Sequence, residues 1–545
     1  TVDIDHLFDK LIEKSDWEVK DAIGKETAAS FIGKFIDEFV ELRINKGALS
    51  ITYDDLLDMK FWQRYGLEND KLTIISSLIH TGLLVAHISN DEEIFAFSYQ
   101  KMDDVFSARF IIKRYPEKEA LIDCIVYKLL GIEEGEITHY SDVDIAIEAC
   151  ALYAKKNKEE LFDEIVAHIT DVEDQNFLVS QYLHSFSWRT HMNLTSEYFM
   201  RFLKQYRPTC YDVLDVLIEN STKDRHPLNA ETLHRLLVEK KIAERDYLWT
   251  AYINNRGGKD DRLYQLLDYF ECGSVFDHLT ENTVKQFLVM NVWLFTASNR
   301  KLRDKATKVA VELLKHNLKL CKELLIKFSD VDEPYVIERL YCAIYGACLK
   351  KTYTEKGVFT ELALYVYEHF FLQETVYPDV LVRDYARLII ERWIFENPQE
   401  CNAVDVSRIR PPYKSEPLPL VEHQTYYDSE TFHSGMMLID HSMRVNAGEH
   451  SHMYGDFGRY TFQSALEYFD GVDIVNCYHY AMQYIRDTLG YNDETLGKED
   501  CWNRGGVLTR QRSLRERIGK KYQWIAFHHM RSRIADHSIL NRYDE

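Results

Sequence analysis

Arg303-Asp304-Lys305-Ala306 recurs as Arg383-Asp384-Tyr385-Ala386, and Glu338-Arg339, followed by Ala343, stands between them. From Arg303 to Arg339 is 36 positions and from Arg339 to Arg383 is 44. The motifs sit among apolar stripes of helical period. Val284, Phe287, Leu288, Val292 and Phe295 form one, and Leu302, Ala306, Val309, Ala310, Leu313 and Leu314 a second. Val336, Leu340, Ala343, Ile344 and Ala347 form a third. Amphipathic helices repeating at a step of about 40 residues mark an α-solenoid of HEAT/TPR-like helical repeats. Such an array offers an extended surface for holding something large.

Composition narrows the function further. The chain has 545 residues, room for roughly three or four domains. Gly (22) and Pro (10) are scarce, so long helices meet few breakers. A net charge of −22 excludes wholesale binding to a nucleic-acid backbone, which needs a basic face. The stretch from Arg504 onward is the basic exception, with Arg510, Arg512, Arg515, Arg517, Lys520 and Lys521 close together. Its two readings are an acidic or nucleic-acid partner, and a charged helix face paired with the acidic body of the same chain. The ten cysteines show no Cys-x-x-Cys and no zinc spacing, which fits free thiols in a reducing cytoplasm. No uncharged apolar run of about 18 residues or more is present to cross a membrane. The chain opens at Thr1 rather than Met, which reads as a fragment of a longer protein.

Four parts follow along the chain. Residues 1–115 alternate helical patterns (Val2–Lys14, Thr27–Leu42, Asp54–Tyr65, Leu72–Thr81) with two β-like runs, Leu83–Ile88 and Ile94–Tyr99, around a polar turn. With the helix Met102–Arg114 this makes a winged-helix module. Residues 116–280 read as helical repeats, punctuated at Pro227, which opens a helix, and at Asn254–Gly258. Residues 281–410 carry the strongest HEAT-like pattern. Pro411, Pro412, Pro417 and Pro419 stop the helices and stiffen a linker. Residues 411–545 then form an aromatic-rich C-terminal helical module.

Few motifs suggest chemistry. Gly24-Lys25 lacks the upstream glycine and adjoining hydroxyl of a phosphate-binding loop. Asp456-Phe457-Gly458 matches the kinase magnesium triplet in letters, without the catalytic loop that would precede it, and reads as a glycine-flanked turn opening a helix. His423, His433, His441, His450 and His452 crowd together, but their spacing matches no defined metal site, and a metal-dependent enzyme built on them is one alternative function. His528 and His529, adjacent in sequence, face different directions on a helix. The Arg-Asp pairs read as a structural ladder of buried, charge-assisted bonds through Arg303, Asp304, Arg339, Arg383 and Asp384; a phosphate clamp is the other reading.

Ile94-Phe95-Ala96-Phe97-Ser98-Tyr99-Gln100-Lys101-Met102-Asp103-Asp104-Val105-Phe106-Ser107-Ala108-Arg109 resembles the segment that closes the winged helix of STAND NTPases. Where many members place a nucleotide-contacting histidine, this chain has Tyr99 or Gln100. Trp188–His191, His226–Ala230, Ala243–Asp246, Thr296–Lys308, Asp332–Leu340, Tyr454–Tyr460 and Glu516–Ala526 are similar to stretches of the antiviral STAND (Avs) branch of bacterial anti-phage defence. The resemblance implies the C-terminal part of such a protein, winged helix plus helical-repeat sensor. It implies a phage structural protein as partner, the large terminase subunit before the portal, recognised by shape. It further implies a homo-tetramer on activation, with ATP and Mg held by an upstream domain and no cofactor in this part. Arg459, Tyr460, Arg517 and Trp524 are the candidate target contacts, Arg and aromatic side chains being common binding anchors. A generic HEAT-like scaffold is the other alternative.

Overall fold

The computed structural model describes residues 4–541 apart from 26–29, 90, 192, 257–260, 273–277, 352–356, 423, 426–433, 447–454 and 503–515. The chain is mainly α, 68% helix, and its described strands form one three-stranded sheet. No described helix is long and apolar enough to cross a membrane. Two compact units emerge, Thr1–Val216 with Arg225–Pro227, and Leu217–Asp224 with Leu228–Glu545. The boundary falls inside the expected part 116–280, and none of the breaks expected after 115, 280 and 410 separates the units.

In the first unit, strands β1 (Ile51–Thr52), β2 (Leu84–Ser89) and β3 (Glu92–Phe97) run in the order β1-β3-β2, all antiparallel. The hairpin β2–β3 is the one the sequence signals. The short β1 is not: Thr52 leaves the strand directly as a helix cap, its hydroxyl accepting from Asp55 N while Asp55 accepts from Thr52 N. The expected helix over 54–65 is broken into Tyr53–Leu57 and Lys60–Tyr65. Phe35, Phe39, Phe61, Trp62, Phe97 and Phe106 fill the core under the sheet. Arg43 crosses from helix Ile32–Lys46 to the Asp103 carboxylate (3.0 Å) and the Ser107 hydroxyl (2.7 Å) on Gln100–Arg114. That helix packs along Val143–Asn157, so no gap opens after residue 115. Farther on, Arg189 lies over Tyr182 and Phe186 and donates to Glu160 at 2.8 Å.

The second unit is built of two rows of helices. Arg262–Glu271, Arg300–Leu314, Pro334–Lys350 and Val380–Glu396 pack each on the next in one row. In the other, Ala230–Val238 packs on Glu281–Trp293 and Lys319–Lys327 on Val358–Val366. Every residue of the three apolar stripes read from sequence is buried between them. Asn229, not Pro227, caps the helix after His226, its side chain accepting from Glu231 N.

The repeat is written a second time in surface ion pairs. Lys285–Glu323 and Lys322–Glu361 bridge successive helices of the second row, and Asp304–Arg339 and Glu312–Lys350 those of the first, at sequence separations of 38, 39, 35 and 38. Lys305 reaches back to Asp268 in the same way. Each pair is partly solvated, worth about 0–1 kcal/mol at most, and serves register more than stability.

Candidate interaction site

Three turns that open helices of the second unit carry buried polar groups, and one helix lies across all of them. Asn299, Glu333 and Asp379 are the caps, each accepting from main-chain N–H groups of the helix it starts. Helix Ile518–His537, here the clasp helix, meets these turns in order along its length. At its start Ser298 Oγ donates to Glu516 O (2.8 Å). Next, Lys521 Nζ lies 2.7 Å from Asp246 Oδ1 and 2.9 Å from Glu333 Oε2, with all three side chains wholly buried. Then His528 Nδ1 comes to 4.0 Å from Asp379 Oδ2. Finally Arg383 donates to Ser532 O (3.3 Å) and Asp536 Oδ2 (2.9 Å). A 20-residue helix is about 30 Å long, enough to span three such turns.

The wholly buried charges at this joint, Lys521 and Arg245 against Asp246 and Glu333, are equal in number. Lys521 and Arg245 face Asp246, Glu333 and Asp332, Arg245 pairing with Asp332 and lying 3.5 Å from Glu333. Burial pushes the Glu333 carboxyl above its ordinary value, and Lys521 opposes that shift. Burial, then the nearby Asp379 charge, pushes Glu338 up to about 7. Burial lowers the His528 imidazole, with Asp379 acting against it. The start of the clasp helix is capped from afar. Arg517 stands at the cap position and makes no cap bond, so Asp500 accepts from Ile518 N and Gly519 N, both at 2.7 Å.

The expected ladder is corrected by this geometry. Arg303 and Arg383 are buried, but neither pairs with the aspartate beside it. Each folds back over the turn before its own helix, Arg303 onto Ala297 O (2.5 Å), Arg383 onto Tyr377 O (2.7 Å) and Val376 O (3.0 Å). Asp304 is half-exposed and meets Arg339 at 3.1 Å across the row. Asp384 is also half-exposed and meets Arg387 one turn on. The aspartates are left outside because Asn299 and Asp379, four residues before each Arg, already cap the helices. We therefore expect Arg383→Ala to cost about 3 kcal/mol, since Asp536 loses its buried partner, and Asp384→Ala no more than about 1 kcal/mol. Equal losses of urea stability in the two variants would return Asp384 to a buried ladder.

The four candidate contacts divide. Arg459 and Tyr460 are exposed side by side, the guanidinium 5.1 Å from the ring centroid. Arg517 is half-buried at the head of the clasp helix. Trp524 packs edge-on against Phe457 (centroids 5.0 Å apart), next to Phe527, with Lys520 Nζ 4.2 Å above the Phe457 ring. Trp524 therefore serves packing. The turn Gly455–Gly458 sits so close to helix Gly435–Met443 that a Cβ on Gly458 would lie 2.1 Å from Arg444 O, and on Gly455 2.1 Å from His441 O. Asp456-Phe457-Gly458 is thus the glycine-flanked start of a helix. Of the five clustered histidines, His423, His433, His450 and His452 lie outside the described residues, as does most of the basic stretch before Glu516. Among the described residues no group of three or more His, Cys, Asp or Glu could hold a metal. Of the described basic residues from Arg517 onward, Lys520, Lys521, Arg531 and Arg533 turn to partners within the chain.

The sequence does not mark Asp246, Glu333 and Asp536 as partners, because each meets a residue 153 to 275 positions away, nor Asp500, which caps a helix start 18 residues on. The sequence signal available was Pro334 after an acidic residue, the signature of a capped helix start. No family model, no curated protein and no solved structure matches this chain.

Proposed function

We propose that this chain is the sensor part of an antiviral STAND NTPase, a cytoplasmic protein that holds a conserved phage structural protein by shape. The observation that carries the reading is a convergence. Four of the stretches similar to the Avs branch supply Asp246, Ser298, Glu333 and Lys521, which lie far apart in sequence and come together along the clasp helix. The sheet order β1-β3-β2 with helices before and after it fits a winged helix closing an NTPase. The two rows with ion pairs every 35–39 residues fit a HEAT-like solenoid. On this reading the large terminase subunit is the first partner to test and the portal the second. Activation assembles the full protein into a tetramer around its upstream ATP and Mg site. The buried ions neutralise one another and are sealed from solvent, an arrangement suited to fixing two surfaces rather than to turning over a substrate.

Co-expression of this chain with a panel of phage structural proteins tests the reading. One of them should be retained on purification, and the purified chain should hydrolyse neither ATP nor nucleic acid. Retention of a host protein in place of every phage protein would favour a general scaffold, and turnover that survives purification would favour an enzyme.

A further inference from the structure

The segment 413–422, read from sequence as a stiff linker, is strapped onto the clasp helix and onto helix Ile474–Gln483 by its main chain. Asp536 accepts from Tyr413 N (2.8 Å) and from the Ser415 hydroxyl (2.6 Å). His537 Nε2 lies 2.8 Å from Ser415 O. Arg533 donates to Glu416 O (2.7 Å) and Pro417 O (2.8 Å). Asn476 acts as a peptide mimic, donating to Pro419 O (3.1 Å) and accepting from Val421 N (2.8 Å). Lys414 O accepts from Val376 N at 3.0 Å.

From Lys414 to Glu422 burial along the strap has a period of three. Ser415, Leu418 and Val421 are half-buried, Leu418 and Val421 against the core, while both residues between each pair are exposed. A polyproline II helix has ~3 residues per turn and no internal hydrogen bonds, so every carbonyl is free for outside donors. Prolines at 417 and 419 hold φ near the required value. From Lys414 to Glu422 the period and the outside donors match this conformation. One face is used up against the body. A second face then presents Lys414, Pro417 and Leu420 in a row, three residues apart. Leu420 is 90% exposed, more than any other large apolar side chain among the described residues. The third face, Glu416, Pro419 and Glu422, offers only one apolar anchor.

From this we infer that residues 414–422 are a preformed polyproline II ligand for a partner protein domain. That domain reads proline through a shallow groove of aromatic side chains and carries a carboxylate at one end. Pro417 and Leu420 would fill successive aromatic slots, since such grooves take apolar groups spaced three apart from a helix that needs no further ordering. Lys414, one turn earlier on the same face, would meet the carboxylate. Because the body holds the strap by main-chain atoms and by the inward side chains of Ser415, Leu418 and Val421, its outward side chains can be read without unseating it.

The test uses the whole chain, fluorescently labelled at its N-terminus, titrated with three purified proline-reading domains, an SH3, a WW and an EVH1 domain. At least one should bind, and binding should fall about tenfold or more in Leu420→Ser, Pro417→Ala and Lys414→Glu. None of these removes a carbonyl that anchors the strap. If Leu420→Ser or Pro417→Ala shifts the melting curve, Lys414→Glu decides, because that side chain is exposed. Absence of binding by all three domains up to roughly millimolar concentration overturns the inference. So does binding that survives the variants, or an exposed row that engages only a second copy of the chain.

Discussion

Replacing Lys521 with methionine will destabilise the second unit by about 3–5 kcal/mol, more than any other single substitution considered for this chain. Methionine keeps most of the aliphatic stem, so little packing is lost. What goes is the ammonium that lies 2.7 Å from Asp246 and 2.9 Å from Glu333, both wholly buried. Arg245 remains 3.5 Å from Glu333 and takes up part of the imbalance. The cost is capped by the free energy of seating the clasp helix, because the helix can lift and let water reach the carboxylates. Urea unfolding followed through Trp249 and Trp293, both wholly buried, reads the change. The deficit should grow with pH. Glu333 already has a folded-state pKa above its unfolded value, so its favourable contribution is complete below the ordinary glutamate range and is lost as pH rises. Removing Lys521 takes away an interaction that lowers that pKa, widening the window. The companion variant Glu333→Gln with Lys521→Met should recover part of the loss. A single variant within about 1 kcal/mol of the parent at neutral pH would mean that the cluster is solvated and that the joint is held elsewhere.

The rows of helices were legible in the sequence because their cause is local. Leu302, Ala306, Val309 and Leu313 must face one side of a helix wherever that helix packs, so the stripe survives any tertiary context. The hairpin Leu84–Phe97 was legible for the same reason, two β-rich runs around a polar turn. The joint was not. Lys521 and Asp246 are 275 residues apart, and nothing in either segment marks one as the other's partner. Arg383 shows the intermediate case. Its recurrence with Arg303 was visible, and so was its structural role, but the neighbouring Asp384 drew the pairing to itself. The geometry that excludes Asp384 is the cap at Asp379, a short-range signal that the more conspicuous Arg-Asp repeat hid. The prolines at 417 and 419 predict a stiff linker. Only the long-range donors Arg533 and Asn476 turn that stiffness from a linker into a strap.

Ending the chain at Arg410 should leave a folded helical body that no longer holds the phage protein proposed as its target, the largest functional loss expected here. Folding survives because the two parts of the second unit have largely separate cores. In the core around Phe462 and Tyr522 all buried residues but three, Ile242, Ala251 and Tyr335, come from 436–534. The joint between the parts is instead rich in charge. Truncation therefore differs from Lys521→Met. The covering helix leaves together with its ammonium, so Asp246, Glu333 and Arg383 meet water rather than an unpaired interior, and hydration replaces the lost bonds. Circular dichroism should keep its helical signal, and the body should melt cooperatively at a lower temperature than the whole chain. Target binding should fall to the limit of detection. The exposed Arg459 and Tyr460 leave with the deleted part, and so does the second of two surfaces whose fixed separation raises effective concentration. The same pull-down that tests the proposed function measures this. If residues 1–410 held it as tightly as the whole chain, the site would lie on the helical rows alone and the clasp helix would be a structural brace.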